Sequence, residues 1–284
     1  VTLSLRSPLL TRHGFRHGFS LRTGGVSKAP FSSLNLGRGV GDDPGHVAEN
    51  HTLLARDIGY EAERLYEVTQ VHGARVAEVD LALAPAAFRV READALFCSR
   101  MGPRASTFAR PRGGVLLARG PARFDQQDDG VAVGVRVADC AAILIAHPES
   151  GGVAAVHAGW RGVVQGVLAN TLSAFTASLE ARPGALIAAL FPHIGGDAFE
   201  VGTDVAHQIA ASAPEDPRVI NWAGEKPHAD LGRAIRAQLL RAGLLAEHIE
   251  HIPGCTFREP ARFFSYRRDG SASGRHLAVI VAGC

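Results

Sequence analysis

The sequence is poor in several residue types, and each scarcity removes a class of protein. Lysine is almost missing: Lys28 and Lys226 stand against a total of 30 Lys and Arg, a bias we read as codon usage. The basic residues nearly cancel 28 acidic ones, leaving a net charge of +2 with His neutral. So small an excess does not point to nucleic acid or a membrane surface as the main partner, and neither is expected. No run approaches ~18 apolar residues, so a conventional spanning helix is excluded. The opening VTLSLRSPLLTRHGF lacks the apolar core of a signal peptide. Cysteine occurs four times, at Cys98, Cys140, Cys255 and Cys284, with no CxxC pair. That argues against a zinc ribbon or a thioredoxin motif, and at this size and cysteine density against a secreted disulfide scaffold. The cytoplasm is the expected compartment, and no obligate protein partner is evident. A start at Val1 instead of Met is read as processing or trimming.

What is present is a chain of 284 residues, 46% hydrophobic. One large domain spanning 1–284 can bury a sizeable core at that length. HGFSLRTGGVS reads as a strand entering a Gly-Gly turn. The stretch 42–59 reads as a helix, with Asp43 as its cap, Pro44 at its first position and Gly59 at its end. RLYEVTQVHGARVAEV suggests two strands flexed around Gly73. EADALFC, GVAVGVRVADC, AAILIAHP and GGVAAVHAG are apolar, largely buried strands. Val163, Val164, Val167, Leu168, Leu172, Phe175 and Leu179 follow the spacing of one amphipathic helix, stopped by Pro183-Gly184. A strand over ALIAALFPHIGG, a capped helix from Thr203, a helix capped by Asp230 and closed by Gly243, and a final strand RHLAVIVAG complete the pattern. Strands and helices mix without βαβ alternation, so the fold class is α+β. The Arg-, Gly- and Pro-rich segment 99–130 is expected to be a long inserted loop with room for a hairpin.

His72, Cys140 and His157 share one local design, a strand end beside a polar or Gly-rich turn. If those strands are neighbours, two imidazoles and a thiolate meet at one rim. Three protein ligands with a fourth position open is how catalytic zinc is held, and the open position brings bound water to a pKa near ~7. The plainer alternative is packing, because cysteine is among the most buried residue types and the chain has 13 His.

TQVHGARV, ADALF, VRVADC, AAVHAGWRGVVQGVL, HIGGDAFEVG and RFFSYRRDGSASGRH occur in this order. With RTGGVS and SLNLGRGVGDDPGHVAEN they cover almost the whole chain, and together they resemble the YfiH-like family. Its members are also labelled multicopper polyphenol oxidase (laccase) domain proteins and purine nucleoside phosphorylases. The resemblance implies Zn2+ on His72, Cys140 and His157, and a single-domain sandwich of mixed sheets with outer helices. It also implies purine nucleosides and phosphate as substrates, with base and ribose 1-phosphate as products. Adenosine deamination and methylthioadenosine cleavage are implied as well.

Three more residues are candidates for binding substrate. Arg161 lies in the first turn after His157, where a cation opposes the helix dipole by roughly 0.3–1 kcal/mol unless an anion offsets it. It either holds phosphate or pairs with a carboxylate such as Asp139. Asn35 bonds the sugar or base, or closes its own turn. Gln70 supports His72 from behind. Arg22 and Arg267 are further anion candidates. The chain departs from the family at FPHIG, where relatives have GPAIG, and at CTFR, where they have CTYC. Phe191, His193 and Arg258 therefore put substrate range in question. Competing functions are a copper-dependent polyphenol oxidase, a cysteine hydrolase using Cys140 with His157, and a zinc-stabilised binding module without catalysis. The absence of HxH pairs speaks against the copper oxidase.

Overall fold

The computed structural model describes residues 2–99 and 130–283; the loop expected over 99–130 lies, but for its two ends, outside them. Two mixed sheets stack face to face. The first has the order β1 (Ser4–Leu5), β2 (His17–Ser20), β13 (His276–Val281), β6 (Ala132–Val137), β3 (Leu65–Tyr66). The second runs β12 (Ile249–His251), β9 (Ile187–Leu190), β7 (Ala141–Ala146), β8 (Val153–Ala158), β5 (Ala95–Cys98), β4 (Val76–Glu78). A ribbon of β10 (Ile220–Asn221) and β11 (His228–Ala229) stands apart.

Side-chain alternation explains the layers. On β7, Ala142, Leu144 and Ala146 face the first sheet, where they meet Val133, Val135 and Val137 of β6 and Phe19 of β2. Ile143 and Ile145 face the other way, onto α5 (Val167–Leu179), α6 (Thr203–Ser212) and α7 (Leu231–Arg241). On β13, Leu277, Val279 and Val281 meet Leu54, Ala55 and Ile58 of α2 (Pro44–Ile58). Helix, sheet, sheet and helices therefore form successive layers, the α+β sandwich expected. Four short helices, α1 (Pro8–Arg12), α3 (Pro85–Phe88), α4 (Trp160–Val164) and α8 (Tyr266–Asp269), fill corners. Among the described residues, no helix is long and apolar enough to cross a membrane.

The punctuation of α2 and α7 is as expected. Asp43 accepts from the backbone N–H groups of Gly45 and His46, Gly59 takes φ 89°, and Asp230 accepts from the N–H of Arg233. Three details differ. The helix expected from Trp160 onward is two helices, because Gly166 takes φ 83° and breaks the ladder while Val163, Val167 and Leu168 stay buried. The helix from Thr203 has Gly202 at its cap position and so no side-chain cap. The strand expected up to His72 is only β3, and His72 lies in the turn that follows, at φ 58°.

Candidate metal centre

β7 and β8 pair antiparallel, with Ala141 opposite Ala158. The start of β7 and the end of β8 therefore share one rim, which puts Cys140 beside His157 and Gly159. β5 pairs antiparallel with β8, Ala95 opposite Val156, so Asp94 arrives next to His157. β4 runs parallel to β5, and the His72–Gly73 turn leading into it reaches the same rim. The ligand atoms of His72, Cys140 and His157 all lie within 4.8 Å of one another. The two imidazoles stand edge to face, with centroids 4.8 Å apart. His157 is buried, Cys140 half-buried and His72 exposed, so the group opens to solvent on the His72 side.

Asp94 organises this group. Its carboxylate accepts from the N–H groups of His72 at 2.9 Å and Gly73 at 2.7 Å, and from His157 Nδ1 at 2.8 Å. The bond to Nδ1 leaves His157 Nε2 to face the cysteine, the carboxylate–imidazole arrangement found behind metal ligands. The two backbone bonds hold His72 in the left-handed region, at an expense of order 1–2 kcal/mol for a non-glycine residue. Asp139, at φ 87°, is the other strained residue beside a ligand; it accepts from Thr256 Oγ1 and the Arg267 N–H, both at 2.6 Å. Burial disfavours charge on Cys140 and His157 alike. Their mutual attraction, with help from His72 on the thiol and Asp94 on the imidazole, outweighs it: the thiol is shifted down and the imidazole up. Two nitrogens and a thiolate sulfur suit zinc.

A close backbone approach completes the group. A Cβ on Gly159 would lie 3.0 Å from Cys140 Sγ and 3.4 Å from His72 Cδ2. The backbone there is extended, φ −72° and ψ 166°, so alanine strains nothing but the ligands. Gly159→Ala should lower metal affinity by about 10-fold or more, the size of effect seen when an orienting group is lost. Chelator competition measures it; unchanged affinity would mean that the ligands yield freely.

The group lies in a cleft of about 730 Å³. Its walls include Phe199 and Tyr266, the carboxylate of Asp139, and four arginines: Arg38, Arg136, Arg267 and Arg275. Gln70 also lines it, but its amide clasps the backbone of Arg136, donating to the carbonyl at 2.7 Å and accepting from the N–H at 2.8 Å. Asn35 is fully buried; its Oδ1 accepts from the N–H groups of Gly37 and Arg275, and its Nδ2 donates to Asp42. Of its two readings, turn closure is the one its bonds show. Arg161 is exposed, with its guanidinium 4.6 Å from the Trp160 ring centre; the two Asp139 oxygens are taken by Thr256 and Arg267. Arg22 bonds the carbonyls of Ser32 and Pro260 over Phe264, away from the cleft. Of the FPHIG stretch, Ile194 lines the cleft; Phe191 is in the inter-sheet core, and His193 is buried with Nδ1 bonded to the Phe191 carbonyl. Arg258 pairs with Asp197 at 2.8 Å. Sequence reasoning missed Asp94, Arg38, Arg136 and Arg275. For Asp94 a signal existed: an acidic residue opening the apolar strand of EADALFC.

A family model described as multi-copper polyphenol oxidoreductase laccase matches residues 16–109 and 125–283. The chain belongs to this laccase-like family. Within it, a purine nucleoside phosphorylase of Deinococcus radiodurans is 37% identical over 279 residues, 97% of this chain and 91% of the relative. A purine nucleoside phosphorylase of Streptomyces coelicolor is 36% identical over 259 residues, 91% of this chain and 92% of the relative. The crystal structure of YlmD from Geobacillus stearothermophilus aligns with a TM-score of 0.81 at 28% identity, over 100% of both chains. The laccase-like family thus carries a copper name in its model and a phosphorylase name in its relatives.

Proposed function

We propose that this protein is a cytoplasmic, zinc-dependent purine nucleoside phosphorylase that converts nucleoside and phosphate to base and ribose 1-phosphate. Adenosine deamination and methylthioadenosine cleavage belong to the same proposal. The observation that carries it is the joint presence, in one cleft, of the His72–Cys140–His157 group, two aromatic rings and an arginine wall. The relatives' names support the reaction class. A cleft of about 730 Å³ is ample for a nucleoside and an anion together. Phe199 and Tyr266 offer flat apolar surface to a purine. Guanidiniums offer forked donors to phosphate, holding it in position against the sugar carbon whose bond to the base breaks. Zinc, when bound, supplies Lewis acidity for substrate or water.

A nucleoside panel incubated with and without phosphate, with products identified, tests the reading. Free base and ribose 1-phosphate should form only with phosphate, and activity should follow zinc content. Oxidation of phenols by the copper-loaded protein, without nucleoside turnover, would favour the oxidase instead. Phosphate-independent bond cleavage blocked by thiol alkylation would favour a cysteine hydrolase, for which Cys140, His157 and Asp94 have the required relay.

A further inference from the structure

Glu67 follows β3 in the alternating run RLYEVTQV, and its side chain is only 2% exposed. Three guanidiniums surround it. Arg136 lies 3.0 Å from Oε1, while Arg38 and Arg89 each lie 3.6 Å from Oε2. Burial pushes the carboxyl up, but Arg136, His51, Arg38 and Arg89 outweigh it and hold it below its ordinary value. One carboxylate therefore faces three permanent cations, in partly buried ground where unmatched charge is costly. The bonding is also incomplete: Glu67 Oε2 and Arg89 Nε are buried without a hydrogen-bond partner.

Arg38 and Arg136 also line the cleft, with Arg275, Asp139 and Cys140; Arg275 Nη1 donates to the carbonyls of Ser273 and Gly274. Asp139 is the carboxylate that acts on Arg275 and offsets part of its charge, but its oxygens bond Thr256 and the Arg267 N–H and, among the described residues, no guanidinium. The backbones of the arginines are fixed by buried or half-buried amides. Gln70 clasps Arg136 from both sides, and the single Asn35 Oδ1 ties Gly37, next to Arg38, to Arg275. Four arginines thus line one opening against two nearby carboxylates, Glu67 and Asp139, an excess of positive charge suited to an anion. Planar forks select oxygens arranged as in a tetrahedral oxyanion, and arginine stays charged at any working pH.

We propose that Arg38, Arg136 and Arg275 form the subsite for the oxyanion of inorganic phosphate, and that Glu67 is the positioning residue that holds Arg38 and Arg136 in it. The assignment rests on the phosphorolysis reading for its choice of phosphate, and on the cluster itself for the anion.

The test uses the zinc-loaded full-length protein and its Arg136→Ala, Arg38→Ala and Glu67→Gln variants. Calorimetry without nucleoside measures binding of inorganic phosphate and, separately, of a nucleoside 5′-monophosphate. Kinetics measures KM for phosphate, KM for nucleoside and kcat. Loss of a charge-assisted bond should weaken inorganic phosphate roughly tenfold or more in Arg136→Ala, with a matching rise in its KM. The nucleoside KM and zinc content should hold. Glu67→Gln should do the same with kcat nearly kept; should that variant not fold, the two arginine variants decide the subsite, and Arg136→Lys should restore binding only in part. If Glu67 merely cancelled charge, its removal would tighten phosphate binding, which would overturn its positioning role. Unchanged phosphate binding in both arginine variants, or a rise in phosphate KM confined to Arg161→Ala, would overturn the subsite. Weakening of the monophosphate alone would assign the arginines to a phosphate ester and overturn the choice of inorganic phosphate. Arginine-dependent phosphate binding without any nucleoside turnover would support the subsite while rejecting the phosphorylase reading.

Discussion

Replacing Cys140 with alanine should give a folded protein that retains no metal and has lost activity by more than about 100-fold, beyond the effect of removing a merely orienting group. Cys140 is the only sulfur in the group, and its thiolate is the strongest donor there for zinc. The two imidazoles left behind are one short of the three protein ligands a catalytic zinc takes. The fold is expected to survive loss of that ion. Cys140 sits at the edge of the inter-sheet core, whose interior is filled by Val133, Val135, Leu144 and Phe19. The melting temperature of the variant should lie within roughly 5 °C of the metal-free parent. Elemental analysis and thermal unfolding check both halves. Full zinc occupancy in the alanine variant would remove Cys140 from the ligand set.

Asp94→Asn should be nearly as damaging to metal binding although Asp94 is no ligand. The carboxylate is fully buried and accepts from His72 N–H, Gly73 N–H and His157 Nδ1. Asparagine keeps the volume but has one accepting oxygen for three donors. At least one buried donor is then left without a partner, a loss of about 1–3 kcal/mol in stability. The strained His72 backbone loses its anchor, and His157 loses the group that fixes its tautomer. Metal affinity should fall by about 10- to 100-fold, read by chelator competition. Wild-type affinity in the asparagine variant would mean that the ligands are set by packing alone.

The parts of this molecule legible in the sequence are those whose cause is local. Asp43, Pro44 and Gly59 bound α2 because capping and left-handed closure act within a few residues. The strands β7 and β8 show in their apolar runs, and a hairpin between them is enough to bring Cys140 to His157. The break at Gly166 was hidden because the apolar face continues across it: Val163 and Val167 stay buried on either side. The arginine wall was hidden for a different reason. Arg38, Arg136 and Arg275 come from a loop, a strand and a strand entry, and nothing in sequence marks three of so many arginines as neighbours. Gln70 and Asn35 stood out by position, but what their amides bond depends on segments 66 and 240 residues away.

The place of β13 in the first sheet bears on how the protein is made. β13 lies between β2 and β6, so those two strands have no partner on that side until residue 281 has been synthesised. A nascent chain must carry two open sheet edges, and the apolar faces of α2 and β6 with them, until β13 has emerged. Arg275 enters just ahead of β13 and is pinned by Asn35 only when that strand inserts. Chains cut short ahead of β13 should therefore lack both the strand between β2 and β6 and the anchored Arg275, and should be prone to aggregate.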